Sequence, residues 1–190
     1  MKHTHNGTCQ VCGAVQAVSN KSGRLAKHGY TTQWGFFSGT CSGSDGLPFE
    51  RSHDLVDESI ISATARAAAN DAEAAAERAE TGLSGWHLHR VLPTWQNRRG
   101  SNVWVRVTWV MSADATGRER ATFTGTYGSQ TITGDGVRLS MYGDAADCAA
   151  KSRARRASHL NEQAIEMRAY VEAQRERLAG WAERPLIAAA

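Results

Sequence analysis

Cys9 and Cys12, in the run Cys9-Gln10-Val11-Cys12-Gly13, have the types and spacing of a zinc knuckle. A tight turn aims two thiolates at one point, and Gly13 admits the backbone conformation that relieves crowding there. Two further ligands must come from downstream. Cys41, in Gly39-Thr40-Cys41-Ser42-Gly43, and His28, in Leu25-Ala26-Lys27-His28-Gly29, complete a Cys3His tetrahedron. His53 competes with His28 for the fourth place, and His3 and His5 lie close enough in sequence to intrude. The chemistry of such a set is structural. Four protein ligands leave no open position for water or substrate, so one Zn2+ would fold the segment and catalyse nothing. A redox pair is disfavoured because no strand-then-helix pattern surrounds the cysteines, and Cys148 is a lone fourth cysteine far from them, which speaks against a disulfide framework.

The elements that must hold this site, and the rest of the chain, follow from composition. The 190 residues include 18 Gly and a large share of Ala, so few large apolar groups are left for one big core, and an elongated, modular α+β protein is expected. Residues 1–53 form the zinc module. From Asp54 to Glu80 the chain loses Gly and Pro and becomes dense in Ala, with Asp54 as N-cap and Gly82 as stop, which predicts a first coiled-coil helix within 54–83. Its seam reads as Ile61, Ala65, Ala68, Ala72, Ala75 and Ala79, with Ala68 and Ala72 at a close helix contact.

A second helix starts at the Asp144 cap and runs to about 182, within the segment 144–190. Its seam includes Ala146, Ala150, Arg153, Ala157, Leu160, Ala164, Met167, Val171, Gln174, Leu178 and Trp181. The two helices are expected to form an antiparallel hairpin, because Asp71, Glu73, Glu77 and Glu80 end the first while Lys151, Arg153, Arg155 and Arg156 begin the second, each cluster opposing its own helix dipole. The last turns, with Leu178 and Trp181, would pack on Trp34, Phe36 and Phe37, and the tail beyond Gly180 would fray. Between the helices, residues 84–143 read as a small antiparallel β module at the hairpin tip. Val103 to Met111 and Arg118 to Tyr127 form a hairpin about Asp114-Ala115-Thr116-Gly117; shorter strands fall at Trp86–Val91, Gln130–Thr133 and Val137–Met141, the last two joined by Gly134-Asp135-Gly136.

The run Cys-x-x-Cys-Gly, Gly23-Arg24-Leu25-x-x-His28-Gly29 and Cys41-x-Gly43-Ser44 resembles small zinc-binding modules of phage and actinobacterial accessory proteins. The resemblance covers about a quarter of the chain. It implies zinc and a mobile-element origin, and it implies no activity.

Charge is segregated along the chain. The β module holds seven Arg, no Lys and three acidic residues, while the first helix carries an excess of acids. Four of the six Trp (Trp86, Trp95, Trp104, Trp109) are in the same module. Arg with aromatic residues on a sheet is the composition of a nucleic-acid surface, and it also suits a protein hot spot. Arg90, Trp95, Arg98, Arg99 and Arg106, with Lys151, Arg153, Arg155 and Arg156, are the candidate binding residues. No phosphate loop, nucleophile elbow or His-Glu-x-x-His helix is present, so no catalytic residue is named; His87 and His89 at i, i+2 would share one strand face and could serve a metal or a general acid/base role, as in a metal-dependent hydrolase.

The expected function is that of a non-catalytic zinc-containing coiled-coil regulator or inhibitor of a host protein complex, in transcription or defence. The alternative is a direct DNA- or RNA-binding protein. No apolar run approaches the roughly 20 residues that span a bilayer, and the opening Met-Lys-His-Thr-His-Asn lacks a secretory apolar region, so a cytoplasmic place in a bacterial host is expected.

Overall fold

The computed structural model describes residues 3–31, 37–92, 100–113, 115–135 and 144–189. The chain is mixed α and β, with two helices and antiparallel sheets, and it divides into two compact units: Met1–Arg66 with Met167–Ala190, and Ala67–Glu166. No described helix is long and apolar enough to cross a membrane.

The first unit is built from short hairpins. Strands β1 (His5–Thr8) and β2 (Val15–Ala17) pair antiparallel, with Thr8 opposite Val15, and β3 (Gly29–Thr31) pairs with β4 (Phe37–Thr40). The first part of α1 (Asp54–Ala79) and the last part of α2 (Ala145–Leu178) belong here, as does β9 (Ile187–Ala188), which adds to the free edge of β1. The buried cluster is small. Cys9, Val18, Leu25 and Cys41 form it with Leu186 against them, so half of its buried members are metal-ligand types.

Polar groups organise much of this unit. Glu50 is buried, and its carboxylate accepts hydrogen bonds from the Thr8 amide (2.8 Å) and hydroxyl (2.6 Å). Gln10, also buried, donates to the Leu47 carbonyl and accepts from the Leu55 amide, one of the N–H groups that the start of α1 leaves without an intrahelical partner. The Ser52 hydroxyl accepts from Asp54 in the same way, so the cap falls before Asp54 and not on it.

The tail beyond Gly180 corrects the expectation of fraying. Gly180 does end the helix, with φ of 73°, but the chain then returns: Trp181 donates its indole N–H to the Phe49 carbonyl (2.7 Å), the Arg184 amide donates to Glu50, and Arg51 pairs with Glu183 at 2.6 Å. The partners of Trp181 are Phe49 and His53, the latter with ring centroids 4.6 Å apart. Trp34 and Phe36, its expected partners, lie outside the described residues, and so does the side chain of Phe37.

The second unit carries a four-stranded meander, β5 (Ser84–Val91), β6 (Ser101–Ala113), β7 (Glu119–Tyr127) and β8 (Gln130–Asp135), in spatial order β5-β6-β7-β8. Alternation along β6 buries Val105, Val107 and Trp109. With Ala121, Phe123 and Ile132 they pack against Ala145, Cys148 and Ala149 of α2. β8 runs through Gly134 and Asp135, which pair with Phe123 and Thr122, so the expected turn at 134–136 is strand up to Asp135. The β7–β8 turn falls between Tyr127 and Gln130 as expected, with Gly128 at φ of 58°. The strand expected at 137–141, and Asp114, lie outside the described residues.

An edge strand exposes unpaired backbone groups, and α2 covers those of β5. The Trp86 amide donates to the Ser152 hydroxyl (3.0 Å), and the Arg153 guanidinium donates to the carbonyls of Gly82 (3.1 Å) and Ser84. At the start of α2 the Asp147 amide donates to the Asp144 carboxylate at 2.8 Å, as a cap requires.

Within this unit the helices meet through Ala74, Ala157 and Leu160. Asn70 reaches Gln163 (3.5 Å) and Arg156 reaches Glu73 (2.8 Å), so the order of contacts is antiparallel. The seam expected on α1 is overturned. Ile61 is 69% exposed, and Ala65, Ala68, Ala72, Ala75 and Ala79 are exposed as well; the buried stripe is Val56, Ala67, Asn70, Ala74 and Glu77. An Ala-rich helix has no large side chain to fix its rotational phase, and two polar residues on the buried stripe disguised it. On α2 the stripe Arg153, Ala157, Leu160, Ala164 and Val171 is buried as expected, while Ala146 and Ala150 are exposed.

Candidate metal centre

Two hairpins bring the four ligands together from opposite ends. Cys9 and Cys12 sit in the turn between β1 and β2, closed by the Cys9 amide on Ala14 O (2.9 Å) and the Gly13 amide on Cys9 O (3.1 Å), with Gly13 at φ 73°. His28 and Cys41 flank the base of the β3–β4 hairpin, where the Cys41 amide donates to His28 O at 2.9 Å. One hairpin offers its turn and the other its root. The ligand atoms of Cys9, Cys12, His28 and Cys41 all lie within 4.8 Å of one another, a group able to hold one metal ion. Cys9 Sγ is 3.8 Å from Cys41 Sγ, and Cys12 Sγ is 3.5 Å from His28 Nε2. All four cysteines of the chain are free thiols.

The surroundings prepare these groups as ligands. His28 Nδ1 faces the Ala26 carbonyl at 2.9 Å, an atom that can only accept, so the ring proton is on Nδ1 and the Nε2 lone pair is presented to the thiols. Ser44 holds the same residue from the other side, its hydroxyl accepting from the His28 amide and donating to the His28 carbonyl, both at 3.0 Å. The Arg177 guanidinium donates to the carbonyls of Gln10 (2.7 Å) and Cys9 (3.3 Å) and lies over the Phe49 ring at 4.2 Å. The knuckle is thereby tied to the end of α2.

Burial pushes the Cys9 thiol up to about 11, against the pull of the Cys12 and Val11 amides. Burial opposes ionisation of Cys12 as well, but its contacts with the Ala14 amide and with His28, Cys9 and Cys41 outweigh it and lower that thiol. Cys12 is exposed, while Cys9 and Cys41 are buried. A cation entering the group would displace protons, since thiolate is the ligand form.

The competing histidines are elsewhere. His53 Nδ1 pairs with Asp57 at 2.7 Å and its ring meets Trp181 edge-to-face, and His5 Nδ1 contacts the Thr4 hydroxyl. His87 and His89 share one face of β5, where they meet Phe123 (4.5 Å) and Tyr127 (5.7 Å).

The basic and aromatic candidates of the second unit are largely engaged with each other. Arg106 lies over Trp86 (5.4 Å) and pairs with Glu77 and Glu80; Arg156 lies between Trp86 (5.3 Å) and Trp104 (5.6 Å) and pairs with Glu73. Lys151 pairs with Asp147 of its own helix at 3.0 Å. Arg153 is buried on backbone carbonyls, whereas Arg90 and Arg155 are exposed. Trp95, Arg98 and Arg99 lie outside the described residues. Of the acidic cluster expected to meet the start of α2, Glu73 pairs with Arg156, whereas Glu77 and Glu80 turn to Arg106 on β6.

Sequence reasoning missed Glu50, Gln10 and Arg177. Each is a polar residue without a motif, and its role comes from contacts 37 or more positions away in sequence. No family model, curated protein or solved structure matches this chain.

Proposed function

We propose that the protein is a non-catalytic binding protein whose first unit is folded by one structural Zn2+ on Cys9, Cys12, His28 and Cys41. The observation that carries this reading is the spacing of the ligand atoms. Zinc bonds of about 2.3 Å to sulfur and about 2.0–2.1 Å to nitrogen, at tetrahedral angles, place two sulfurs ~3.8 Å apart and sulfur and nitrogen ~3.6 Å apart. The Cys9–Cys41 and Cys12–His28 separations are 3.8 and 3.5 Å. A mixed thiolate and imidazole set selects zinc over the hard cations. With four ligands the centre is closed, which supports a structural role over that of a metal-dependent hydrolase.

The partner is read as a protein. Arg106, Arg153 and Arg156 are occupied by carboxylates, carbonyls and indole rings, which reduces what the second unit offers to a phosphate backbone. Together with the resemblance of the knuckle segment to phage and actinobacterial modules, this favours a mobile-element regulator or inhibitor acting on a host complex in transcription or defence. The antiparallel contacts around Ala74 and Leu160 support the further reading of α1 and α2 as a coiled-coil hairpin that carries the β module.

Metal analysis of the purified chain and of Cys41→Ser tests the centre. One zinc per chain, lost or readily chelated in the variant, is expected, and unchanged stoichiometry with unchanged resistance to chelator removes Cys41 from the shell. Recovery of a partner from bacterial lysate with and without nuclease tests the rest. Nuclease-sensitive recovery transfers the function to direct nucleic-acid binding.

A further inference from the structure

Arg177 lies in the last turn of α2, where a basic residue ordinarily serves the carbonyls of its own helix or a nearby carboxylate. Arg175 does the second, pairing with Glu172 at 2.6 Å. Arg177, which has no ion pair among the described residues, instead reaches the knuckle turn. Its guanidinium donates to the carbonyls of Gln10 (2.7 Å) and Cys9 (3.3 Å), with Gln174 Oε1 of its own helix at 3.4 Å. The guanidinium carbon lies 4.2 Å from the centroid of the Phe49 ring, a contact that holds the plane of the fork. All of these residues belong to the first unit.

The effect at the metal ligands is twofold. A trans peptide points its C=O and N–H in opposite directions, and the described chain has no cis peptide. With Gln10 O held on Arg177, the N–H of the same peptide, that of Val11, faces the other side, where it donates to the Cys9 sulfur. Arg177 thereby fixes a hydrogen bond to a ligand atom that it does not touch. Charge is the second effect. Three thiolates and a neutral imidazole around Zn2+ carry a single net negative charge, and a half-buried guanidinium without a carboxylate is the complement of such a group.

We infer that Arg177 is a positioning residue of the metal centre, which clamps the Gln10 and Cys9 carbonyls so that the Val11 amide is aimed at the Cys9 sulfur, and whose charge balances the metal-bound set. The inference rests on the reading of Cys9, Cys12, His28 and Cys41 as zinc ligands. It adds that the strength of metal binding is set in part from the end of α2, by a residue 167 positions along the chain from Gln10.

The test compares the full wild-type chain with Arg177→Met and Arg177→Lys, by zinc competition against a chromophoric chelator at fixed pH and by the absorption of the Co2+-loaded chains. Methionine keeps an apolar stem against Phe49 and removes both charge and donors. Lysine keeps the charge, but its compact ammonium does not bridge two carbonyls as the planar fork does. Arg177→Met should bind zinc about 10–100-fold more weakly, the loss typical of outer-shell partners. Its cobalt d–d bands should keep the positions of a four-coordinate site, since all four ligands remain, while the thiolate-to-cobalt band moves to lower energy as the sulfur loses its N–H donor. A residue that only anchored α2 would change the melting temperature and leave that band in place. Arg177→Lys should fall between wild type and Arg177→Met, and it decides alone if methionine leaves the chain unfolded. Full recovery in the lysine variant overturns the clamp, and wild-type affinity and band position in Arg177→Met overturn the inference as a whole while the metal centre stands. Failure of the wild-type chain to take up zinc or cobalt at thiolate ligands removes the metal centre and the inference with it.

Discussion

Gly43→Ala isolates the geometry of the metal centre from its ligands. Gly43 does not have positive φ, so alanine meets no backbone strain there. Its Cβ would nonetheless collide with Cys9 Sγ and approach the Val11 side chain at 3.1 and 3.3 Å. Ordinary contact between such atoms needs about 3.5–4.0 Å, and the sulfur falls short of it by about an ångström or more. Cys9 cannot retreat easily, because it is fully buried and its carbonyl and amide are both held in the knuckle turn. Metal bonds tolerate about 0.2 Å, so a sulfur displaced by several times that amount leaves the shell or drags the turn with it. Zinc affinity should fall by at least the 10–100-fold typical of losing an outer-shell support, although all four ligands are intact. Competition against a chromophoric chelator at fixed pH measures it. Gly13→Ala is the control: at φ 73° it strains the backbone by about 1–2 kcal/mol, yet its Cβ meets nothing within 4 Å, so stability should drop with the metal site kept. Wild-type affinity in Gly43→Ala would refute the packing of Gly43 against the centre.

Other perturbations probe the scaffold. Thr8, its own amide and Arg184 hold the Glu50 carboxyl below its ordinary value of 4.5 although burial acts to raise it. Its contribution is therefore full above about pH 4.5 and is lost as pH falls through the lower folded value, so Glu50→Gln should cost about 1–3 kcal/mol at pH 7 and progressively less in acid, read from paired denaturation curves; a gap independent of pH would show that the charge contributes nothing. Ala74→Leu should destabilise by about 1–3 kcal/mol through overpacking against Ala157 and Leu160, while Ala72→Leu on the exposed face should be nearly neutral, and the reverse order would restore the seam first expected. Gly85→Ala would drive a methyl group into Ser152 and to 3.0 Å from Trp109 Nε1, so its denaturation midpoint should fall, unless α2 is not seated on β5 as described.

The legible parts of this chain were those in which chemistry is local. The Cys-x-x-Cys-Gly turn, the Asp144 cap, the Gly82 and Gly180 stops and the alternation of β6 each need only a few neighbouring residues to declare themselves. His28 was separable from His53 only in three dimensions, because a histidine becomes a ligand by the direction of its free nitrogen, and that is fixed by the Ala26 carbonyl.

By itself, then, the sequence determined the three cysteines of the group that could hold a metal ion, the positions of both helices and the β character between them, since propensity, capping and periodicity act within one or two turns of chain. Tertiary structure decided which face of α1 is buried, that Arg106 and Arg156 turn inward onto Trp86 and Trp104, and that the tail after Gly180 returns to pair with β1. The physical reason is the same in each case. Alanine carries no directional preference, an arginine is stable either in water or on a ring beside a carboxylate, and a two-residue strand gains order only from the edge it meets, so the outcome depended on partners far away along the chain.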